Sequence, residues 1–507
     1  MIHGLDDVRQ GFDVEADAVV VGSGAGGAMA ALNLARAGLR VVVLEAGPQV
    51  RVEDMTRDGP TFLARNYWEG GLRMLLGSGT YPTMSGRCLG GSTVVNSAIQ
   101  FRLPDWVRQD WAAGDGLHDL VLGPGLDAAY DRVMARLKVA PTPLEVMGPK
   151  NLVARDVLTR AGVPNGPLPR SVHGCRGSGD CLTGCRQGAK QSVDRAVLPD
   201  AVAAGARIFT CAEVDAITFE GGAAAGVTGQ VVDPDGFARL ARFTVRAPRV
   251  FLAAGTLHTP VLMQRSGVRL GGRVGGTFQA HVSSLALGAM PERVDPWLGA
   301  TQGWGGFSDR VQGLKFESLW GPTSLMSAEW GGLGGRLRPM IDDVAHASLV
   351  VLVYRARVTG SVRAKRNGMP DARLWIPKEE VATLLSEVHR LTSAYLQLGA
   401  RYVYTGVAGM PHEIRTQDQA DGLLSGRFRG RHLTMTANHT FGSCRMSADP
   451  DRGVVDPEGR VHGVPGLWIC DASVFPSPSA VNPQSTVMAL SDLISRRAAG
   501  LGWEGPA

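Results

Sequence analysis

The first clear pattern in the chain is an apolar run, a glycine cluster and a second apolar run within residues 18–45. Ala18 to Val21 reads as a short buried strand, GSGAGG follows at once, and AMAALNLARAG predicts a helix closed by Gly38. LRVVVLEAG then reads as a second buried strand that ends in Glu45. Continuous apolar strands separated by a helix are typical of parallel βαβ units. The pattern predicts a Rossmann-like α/β domain.

Three glycines in this unit, Gly22, Gly24 and Gly27, have the spacing G-x-G-x-x-G. Such glycines permit a tight turn and let a pyrophosphate approach the N-terminus of the helix. Glu45 follows at the position where a carboxylate accepts hydrogen bonds from the adenosine ribose. Together these elements favour a dinucleotide site over a bare tight turn. The unit alone fits FAD and NAD equally.

A different pattern appears between about residues 286 and 431. The segment SLVVLVYRARVTGSVR alternates and is rich in β-branched residues, which predicts a long strand followed by a hairpin at Thr359-Gly360. Large apolar side chains are concentrated in the same region: Trp297, Trp304, Trp320, Trp330, Met326 and Met340. They fit either a pocket for an apolar substrate or simply a second core. We expect a second domain built on an antiparallel sheet, which makes the whole chain α+β.

Composition narrows the class of protein. A chain of 507 residues with 44% hydrophobic residues is expected to form two or three globular units. The net charge of +5, from 52 basic and 47 acidic residues spread along the chain, does not favour nucleic acid as a partner. The N-terminus is polar and acidic, and no apolar run approaches the ~18 residues of a transmembrane helix. We therefore expect a cytoplasmic protein without a transmembrane segment, in which disulfides are disfavoured.

Several later segments resemble those of the glucose-methanol-choline (GMC) family of FAD-dependent oxidoreductases. They are GRCLGGSTVVN (86–96), GTLHTPVLMQRSG (255–267), NHTFGSCRM (438–446), ICDASVFP (469–476) and SAVNPQSTVMALSDLI (479–494). With the N-terminal unit they span nearly the whole chain, in the family's order. Arg269 departs from the pattern, because the family usually has a glycine there. The resemblance implies that the dinucleotide is FAD.

The resemblance also implies which residues hold FAD. In GRCLGGS the two glycines would let the backbone lie against the cofactor, although this run is also good turn chemistry. Asp471 would bond the ribityl chain, and the backbone of Val214 would meet the adenine. The remaining positions implied in this way are Arg87, Gly90, Gly91, Ser92, Asn96 and Pro483. Some relatives bond the flavin to a histidine where this chain has Val95, so we expect non-covalent FAD.

The family places its catalytic groups at positions that correspond to His439 and Asn482. A histidine can accept the alcohol proton near neutral pH, and an amide can hold the substrate oxygen. Taken without the resemblance, His439 reads as an ordinary partly buried histidine, and Asn482 as the start of an Asn-Pro turn. With the resemblance, the pair implies oxidation of an alcohol to an aldehyde or ketone by hydride transfer to flavin N5.

The substrate and the electron acceptor are less readable. Residues 286–431 resemble the long-chain alcohol oxidase branch of the family, which favours a hydrophobic alcohol over a sugar. Oxygen, a quinone and a redox protein all remain open as acceptors. A non-catalytic flavin-binding protein is the alternative from a different class, and the intact His439 and Asn482 pair argues against it.

Three cysteines, Cys175, Cys181 and Cys185, lie in one short segment with the spacing C-x5-C-x3-C. The spacing resembles that in the catalytic subunit of bacterial FAD-dependent glucose dehydrogenases, where three cysteines hold a [3Fe–4S] cluster. A cluster would make the protein a sugar or polyol dehydrogenase that passes electrons to a partner. A disulfide is geometrically possible but disfavoured in the cytoplasm. We expect free, partly buried thiols, because free cysteine is a common small buried residue.

The motifs divide the chain into predicted domains. The FAD-binding domain is expected to be discontinuous and to comprise residues 1–110, 190–285 and 432–507. Residues 111–189 would form a connecting segment that contains the three cysteines, and residues 286–431 would form the substrate-binding domain.

Overall fold

The computed structural model describes residues 1–327, 330 and 337–502. The β-strands of this part of the chain are β1 (Ile2–His3), β2 (Phe12–Glu15), β3 (Ala18–Val21), β4 (Val41–Leu44), β5 (Met74–Gly77), β6 (Thr80–Pro82), β7 (Val139–Pro141), β8 (Asn165–Pro167), β9 (Pro169–Ser171), β10 (Arg207–Phe209), β11 (Ala212–Glu220), β12 (Ala223–Val232), β13 (Arg239–Arg246), β14 (Val250–Leu252), β15 (Gln279–Ala280), β16 (Val282–Ala289), β17 (Trp304–Phe307), β18 (Leu314–Ser318), β19 (Ala347–Tyr354), β20 (Thr359–Ala364), β21 (Pro370–Trp375), β22 (Tyr402–Tyr404), β23 (Thr440–Phe441) and β24 (Leu467–Ile469).

The α-helices of the same residues are α1 (Leu5–Val8), α2 (Ala25–Arg36), α3 (Gly59–Asn66), α4 (Ser92–Val95), α5 (Asp105–Asp115), α6 (His118–Val121), α7 (Pro124–Arg136), α8 (Pro149–Arg160), α9 (Val193–Ala196), α10 (Leu198–Ala203), α11 (Gly255–Arg265), α12 (Thr323–Ser327), α13 (Arg338–Asp342), α14 (Lys378–Gln397), α15 (Gln417–Asp421) and α16 (Gln484–Ala498). None of these helices is both long and apolar enough to cross a bilayer.

A parallel sheet carries the N-terminal unit. Its strands lie in the order β1-β10-β4-β3-β14-β24, and each neighbouring pair is parallel. Every residue of β3 (AVVV) and β4 (VVVL) is buried, as expected for strands covered on both faces. The predicted strand, helix and strand are confirmed as β3, α2 and β4. Gly38 follows α2 with a φ of +83°, a conformation that glycine adopts without strain.

Helix α16 packs on α2 and joins the C-terminal region to this sheet. The buried Asn33 of α2 donates from Nδ2 to Asp492 Oδ1 at 2.9 Å and to Ser495 Oγ at 3.0 Å. The same carboxylate pairs with Arg132 of α7. Three segments that are far apart in sequence are therefore fixed together around one buried carboxylate.

The second large sheet is antiparallel and has the strand order β22-β16-β19-β18-β17-β8. Helix α14 covers it, and the ring of Tyr395 packs where a Cβ at Gly288 would stand. The described residues form four smaller sheets: β11-β12-β13-β2, β20-β21-β5-β6, β15-β23 and β7-β9. The α/β fold class with a parallel Rossmann-like sheet and an antiparallel second sheet is thus confirmed. The domain boundaries stay a prediction, and residues 503–507 of the last FAD stretch lie outside the described residues.

One sequence prediction in this region is wrong. The segment from Ser348 to Arg363 was expected to form a strand with a hairpin at Thr359-Gly360, but β19 ends at Tyr354 and β20 belongs to a different sheet. Val358 N donates to Ala356 O at 3.0 Å, so the chain makes a tight turn between the two strands. Apolar and polar residues alternate in the strands on both sides of this turn, so the pattern does not reveal that the second strand belongs to another sheet.

The large apolar residues between β17 and β19 mostly form a core cluster. Trp320, Trp330 and Met340 pack together and are at most 7% exposed. Trp304 is also buried, whereas Trp297 is 38% exposed. Met326 belongs to the same cluster and lines the cavity described below. Most of these large apolar residues therefore belong to the core, and Met326 connects their cluster to the cavity.

Candidate active site

A cavity of about 470 Å³ lies at the carboxyl ends of β3, β4 and β14 and continues to the antiparallel sheet. Val21, Leu44 and Ala253 line it from the parallel sheet, and Val351 and Val353 line it from β19. In open parallel sheets the crevice beyond the carboxyl ends of the strands is where ligands bind. The two sheets thus contribute to one cavity.

The glycine loop fits the N-terminus of α2 closely against the sheet. Gly22 has a φ of +100°, and a Cβ there would lie 2.3 Å from Ala253 O. A Cβ at Gly27 would lie 1.9 Å from Gly22 O. At Gly24 nothing stands within 4 Å of the Cβ position, and this residue lines the cavity. Gly22 and Gly27 serve packing, and Gly24 leaves room for a ligand.

Glu45 stands at the end of β4 and is buried. Its Oε2 accepts from Ser23 N at 3.1 Å and from Ser23 Oγ at 2.6 Å, and its Oε1 accepts from Gly47 N at 2.9 Å. Burial raises the pKa of Glu45, and the hydrogen bonds from Ser23 and Gly47 oppose that shift. Each carboxylate oxygen can accept more than one hydrogen bond. Glu45 can therefore still accept from ligand hydroxyls in the cavity that it lines.

The other sequence-predicted cofactor residues fall into two groups. Those that line the cavity with Gly22, Gly24 and Glu45 are Gly91, Ser92, Asn96, Val214, Asp471 and Pro483. Gly27, Arg87 and Gly90 are not among the described residues that form its lining. Gly90 N donates to Ser23 Oγ at 2.9 Å, and this hydrogen bond links the GRCLGGS segment to the GSGAGG loop.

Three of the lining side chains are already bonded to the protein. Asn96 donates to Gln484 Oε1 at 2.7 Å, and Ser92 Oγ accepts from Gly86 N at 3.0 Å. Asp471 Oδ2 accepts from Gly255 N at 2.9 Å and from Thr259 Oγ1 at 2.6 Å. Burial raises the pKa of Asp471, and these donors oppose the shift. Asp471 therefore anchors the N-terminus of α11 at the wall of the cavity.

Arg87 is buried between two rings. Its guanidinium lies 5.3 Å from the centre of the Trp68 ring and 5.2 Å from that of Phe237. Nη1 and Nη2 have no hydrogen-bond partner among the described residues, and the nearest carboxylate oxygen, on Glu213, is 3.7 Å away. Arg87 thus lies behind the described lining of the cavity, and the open space at Gly24, next to the N-terminus of α2, is what fits the pyrophosphate of a dinucleotide. The residues present thus fit FAD.

His439 and Asn482 line the same cavity. His439 follows a segment in which the alternate residues Leu433, Met435 and Ala437 are buried, and it precedes β23. Its Nδ1 lies 3.2 Å from Nδ1 of His281. Burial, followed by the charge of Lys315, lowers the pKa of His439 to about 4, and Glu317 opposes that shift. His439 is therefore neutral at physiological pH and able to accept a proton.

A buried ion pair stands beside this end of the cavity. Lys315 Nζ lies 2.5 Å from Glu317 Oε1 on β18, and Gln302 Nε2 donates to Glu317 Oε2 at 2.9 Å. Lys315 Nζ also donates to Asn482 Oδ1. Burial alone would raise the pKa of Glu317, but the Lys315 ammonium holds it below its ordinary value. Glu317 and Gln302 line the cavity.

Sequence reasoning missed several of these residues: Ser23, Gly26, His281, Gln302, Lys315 and Glu317. A Cβ at Gly26 would lie 1.6 Å from Cys470 O, and its only signal is its place within GSGAGG. Lys315 and Glu317 alternate with apolar residues in LKFES, which indicates a half-buried strand but not that the charged face is buried. His281 and Gln302 stand in no recognisable pattern.

Ser283 and Ser284 of β16 line the cavity near the antiparallel sheet, and the wall beside them is apolar. Its members are Leu285, Leu319, Leu325, Met326 and Val351. These side chains are continuous with the core cluster that contains Trp320. The cavity thus has a polar end at His439 and Asn482 and an apolar wall beside it.

The three-cysteine segment lies next to the cofactor side of the cavity. Cys175, Cys181 and Cys185 are free, and Arg170 Nη2 donates to Cys181 Sγ at 3.2 Å. Among the residues that the structure describes, no group of three or more His, Cys, Asp and Glu is arranged to hold a metal ion. This arrangement gives no support to a [3Fe–4S] cluster.

One buried lysine connects this segment to Asn96, which lines the cavity. Lys190 Nζ donates to Cys181 O at 2.8 Å and to Asn96 O at 2.9 Å. Burial lowers the pKa of Lys190, and the neighbouring thiols oppose that shift. The segment thus has a structural role beside the cavity.

The parallel sheet, the glycine loop and the buried carboxylate at the end of β4 place the molecule in the class of dinucleotide-binding α/β proteins. Comparison with known proteins agrees with this class. The family model for the N-terminal part of GMC oxidoreductases matches residues 16–283, and the model for the C-terminal part matches residues 355–491. The chain belongs to the GMC family of flavin-dependent oxidoreductases, which act on CH–OH donors.

Individual relatives cover most of the chain. An uncharacterized GMC-type oxidoreductase of Mycobacterium tuberculosis is 35% identical over 477 residues, which is 94% of this chain and 74% of the relative. A long-chain-alcohol oxidase of Arabidopsis thaliana is 27% identical over 518 residues, which is 97% of this chain and 68% of the relative. The solved structure of a formate oxidase variant from Aspergillus oryzae has the same fold, with a TM-score of 0.69 and 16% identity over 95% of this chain and 98% of that one.

Proposed function

We propose that this protein oxidises a hydrophobic alcohol to an aldehyde or ketone. The observation that carries the proposal is that His439 and Asn482 line the same cavity as the dinucleotide-binding residues, next to an apolar wall. A neutral base, an amide donor and an apolar surface are what the oxidation of an apolar alcohol requires. The likeness to a long-chain-alcohol oxidase supports this class of substrate.

His439 is the proposed base. In the tautomer that carries its proton on Nδ1, His439 donates to His281 Nδ1 and leaves Nε2 free to accept the hydroxyl proton. Burial of His281 lowers the pKa of that ring well below its ordinary value, so His281 stays neutral and holds the orientation. General bases of this kind contribute about 10²–10⁴-fold to the rate.

Asn482 is the proposed group that holds the substrate oxygen. A neutral amide stabilises the charge that develops on this oxygen as the proton leaves. FAD, held by the glycine loop, Glu45 and the other lining residues, supplies the hydride acceptor when it is bound. We expect FAD to be non-covalent, since Val95 offers no group for a covalent bond.

The proposed substrate class follows from the shape of the cavity. Glu317 and Gln302 lie near Asn482, and Ser283 and Ser284 adjoin Leu285 on β16, whereas the wall formed by Leu319, Leu325, Met326 and Val351 offers no hydrogen bonds from its side chains. A sugar would leave several hydroxyls facing this apolar wall, which costs about 1–3 kcal/mol for each unsatisfied group. An alkyl, aromatic or terpenoid alcohol meets no such cost.

The test is anaerobic mixing of the FAD-loaded protein with a panel of alcohols that includes fatty, aromatic and terpenoid alcohols, sugars and polyols. We expect apolar alcohols to bleach the flavin, and His439→Gln to slow the bleaching by about 10²-fold or more. His389→Gln, at a partly buried histidine that is bonded to Asp421 and lies outside the described lining of the cavity, is the matched control and should bleach like the wild type.

Other outcomes point to the alternatives. Bleaching by sugars alone, with iron and sulfide in anaerobically purified protein, would replace this proposal by an iron–sulfur sugar or polyol dehydrogenase. A flavin that no alcohol or sugar bleaches would indicate a non-catalytic flavin-binding protein. After an active alcohol is found, exchange of oxygen, quinones and redox proteins as acceptors identifies the second half-reaction.

A further inference from the structure

The buried ion pair beside Asn482 neither gives nor takes the proton in the transfer proposed above, although the charge of Lys315 lowers the pKa of His439. Lys315 and Glu317 are 1% and 3% exposed, and their closest charged atoms are 2.5 Å apart. A fully buried ion pair adds little to stability compared with apolar residues of the same size. Its position relative to Asn482 therefore matters more than its contribution to folding.

The chemistry of the lysine fixes the direction of the Asn482 amide. An ammonium group only donates hydrogen bonds, so the amide must present its oxygen to Lys315. Lys315 Nζ does donate to Asn482 Oδ1. The hydrogen bond of the Asn482 side chain among the described residues is made through Oδ1 and not through Nδ2, and Asn482 lines the cavity. Nδ2 is therefore left to donate to a ligand.

We infer that Lys315 is a positioning residue for the alcohol oxidation: its ammonium holds Asn482 Oδ1 and so directs Nδ2 to donate to the substrate oxygen. The inference rests on the proposed function and adds to it the residue that determines which atom of the Asn482 amide faces the substrate. Without this contact the amide can rotate by 180° and present its oxygen to the substrate oxygen, which disfavours a developing negative charge.

Neighbouring groups keep the lysine in place. Glu317 accepts from Lys315 Nζ and is itself fixed by Gln302, and the ring of Phe101 lies 5.6 Å from Nζ. Burial lowers the pKa of Lys315, and Glu317 opposes that shift and favours the charged form. The lysine is thus held by a carboxylate on one side and donates to the amide on the other.

The kinetic test is a double-mutant cycle on flavin reduction by an active alcohol, with the variants Lys315→Met, Asn482→Ala and the combination. If Lys315 acts through Asn482, Lys315→Met slows reduction by about 10–10²-fold with an unchanged dissociation constant for the alcohol. The double variant should then be no slower than Asn482→Ala alone. Losses that multiply in the double variant would overturn the inference.

Lys150→Met is the matched control, because Lys150 is 1% exposed and donates to the backbone oxygen of Leu298, away from the described lining of the cavity. It should leave the reduction rate unchanged. If Lys315→Met lowers the melting temperature or FAD content more than Lys150→Met does, Asn482→Asp decides instead. This variant keeps an oxygen for Lys315 and loses Nδ2, so it should be as slow as Asn482→Ala, and wild-type rates in Asn482→Asp would overturn the inference.

A second readout does not depend on activity. The side-chain amide nitrogen of Asn482 gives an NMR resonance that is assigned by its absence in Asn482→Ala. Loss of a charged donor from Oδ1 should shift this resonance upfield in Lys315→Met and not in Lys150→Met. An unshifted resonance would overturn the inference even if an alcohol is oxidised, whereas a shift in a protein that no alcohol reduces would mean that only the proposed function has failed.

Discussion

The glycine loop allows a sharp test of how the cavity binds FAD. Gly24 and Gly26 are two positions apart, but a Cβ at Gly24 enters the open cavity, whereas a Cβ at Gly26 would lie 1.6 Å from Cys470 O. Gly24 has a φ of −66° and a ψ of −164°, which alanine adopts without strain. Gly24→Ala should therefore act mainly on FAD binding, and Gly26→Ala mainly on the stability of the protein.

The magnitudes follow from these contacts. Gly24→Ala should change the free energy of unfolding of the apoprotein by less than about 1 kcal/mol, because the restriction of the unfolded chain by alanine is opposed by the low preference for alanine at the N-cap of α2. Its methyl group keeps the pyrophosphate away from the N-terminus of α2, an interaction worth up to about 2 kcal/mol, so the Kd for FAD should rise up to roughly 30-fold. Gly26→Ala forces backbone to move away from backbone and should destabilise the apoprotein by at least about 1–3 kcal/mol.

The assays are thermal unfolding of the apoprotein and titration of apoprotein with FAD, followed by quenching of flavin fluorescence. Gly26→Ala is the control for general disruption of the fold, because its main expected effect is a lower thermal stability of the apoprotein and not the loss of one contact with FAD. If Gly24→Ala bound FAD as tightly as the wild type, the pyrophosphate would not approach α2 at Gly24, and the assignment of this cradle would be wrong.

Two further predictions concern the substrate end of the cavity. Burial and Lys315 lower the pKa of His439 to about 4, so this base is unprotonated above that pH. The rate of alcohol-dependent flavin reduction should therefore be constant between pH 6 and 8 and fall only as the pH approaches 4. Stopped-flow rates with an inflection near pH 6.5 would contradict this prediction. Met326→Trp places a larger side chain in the cavity beside the apolar wall, so it should slow flavin reduction by long-chain alcohols and leave reduction by short-chain alcohols unchanged. Equal effects on both classes in a chain-length series would show that the alkyl chain of the alcohol binds elsewhere.

The part of the fold that sequence predicts best is local. The unit from Ala18 to Glu45 was predictable because its apolar runs, glycines and acidic residue all lie within one continuous stretch. Pairing of β14 with both β3 and β24 was not, because a short apolar strand such as VFL carries no information about its partners. The turn between β19 and β20 was missed for the same reason, since alternation is a property of each strand alone.

The candidate site shows the same division. His439 and Asn482 were found through the resemblance of their segments to a family. Lys315 and Glu317 were not, because charged residues that alternate with apolar ones normally face solvent. They are buried because the cavity side of β18 is covered by other parts of the chain, including the segment of Asn482. Only tertiary structure reveals that the charged face of this strand is the inner one.

The contact between α2 and α16 has a consequence for biosynthesis. Asn33 leaves the ribosome early, but its partner Asp492 and the edge strand β24 are made some 430–460 residues later. At about 5–20 residues per second, synthesis of this chain takes roughly 25–100 s. During that time the apolar residues of β3 and α2 lack part of their final cover. The nascent chain should therefore need chaperone protection, and FAD is expected to bind mainly after release.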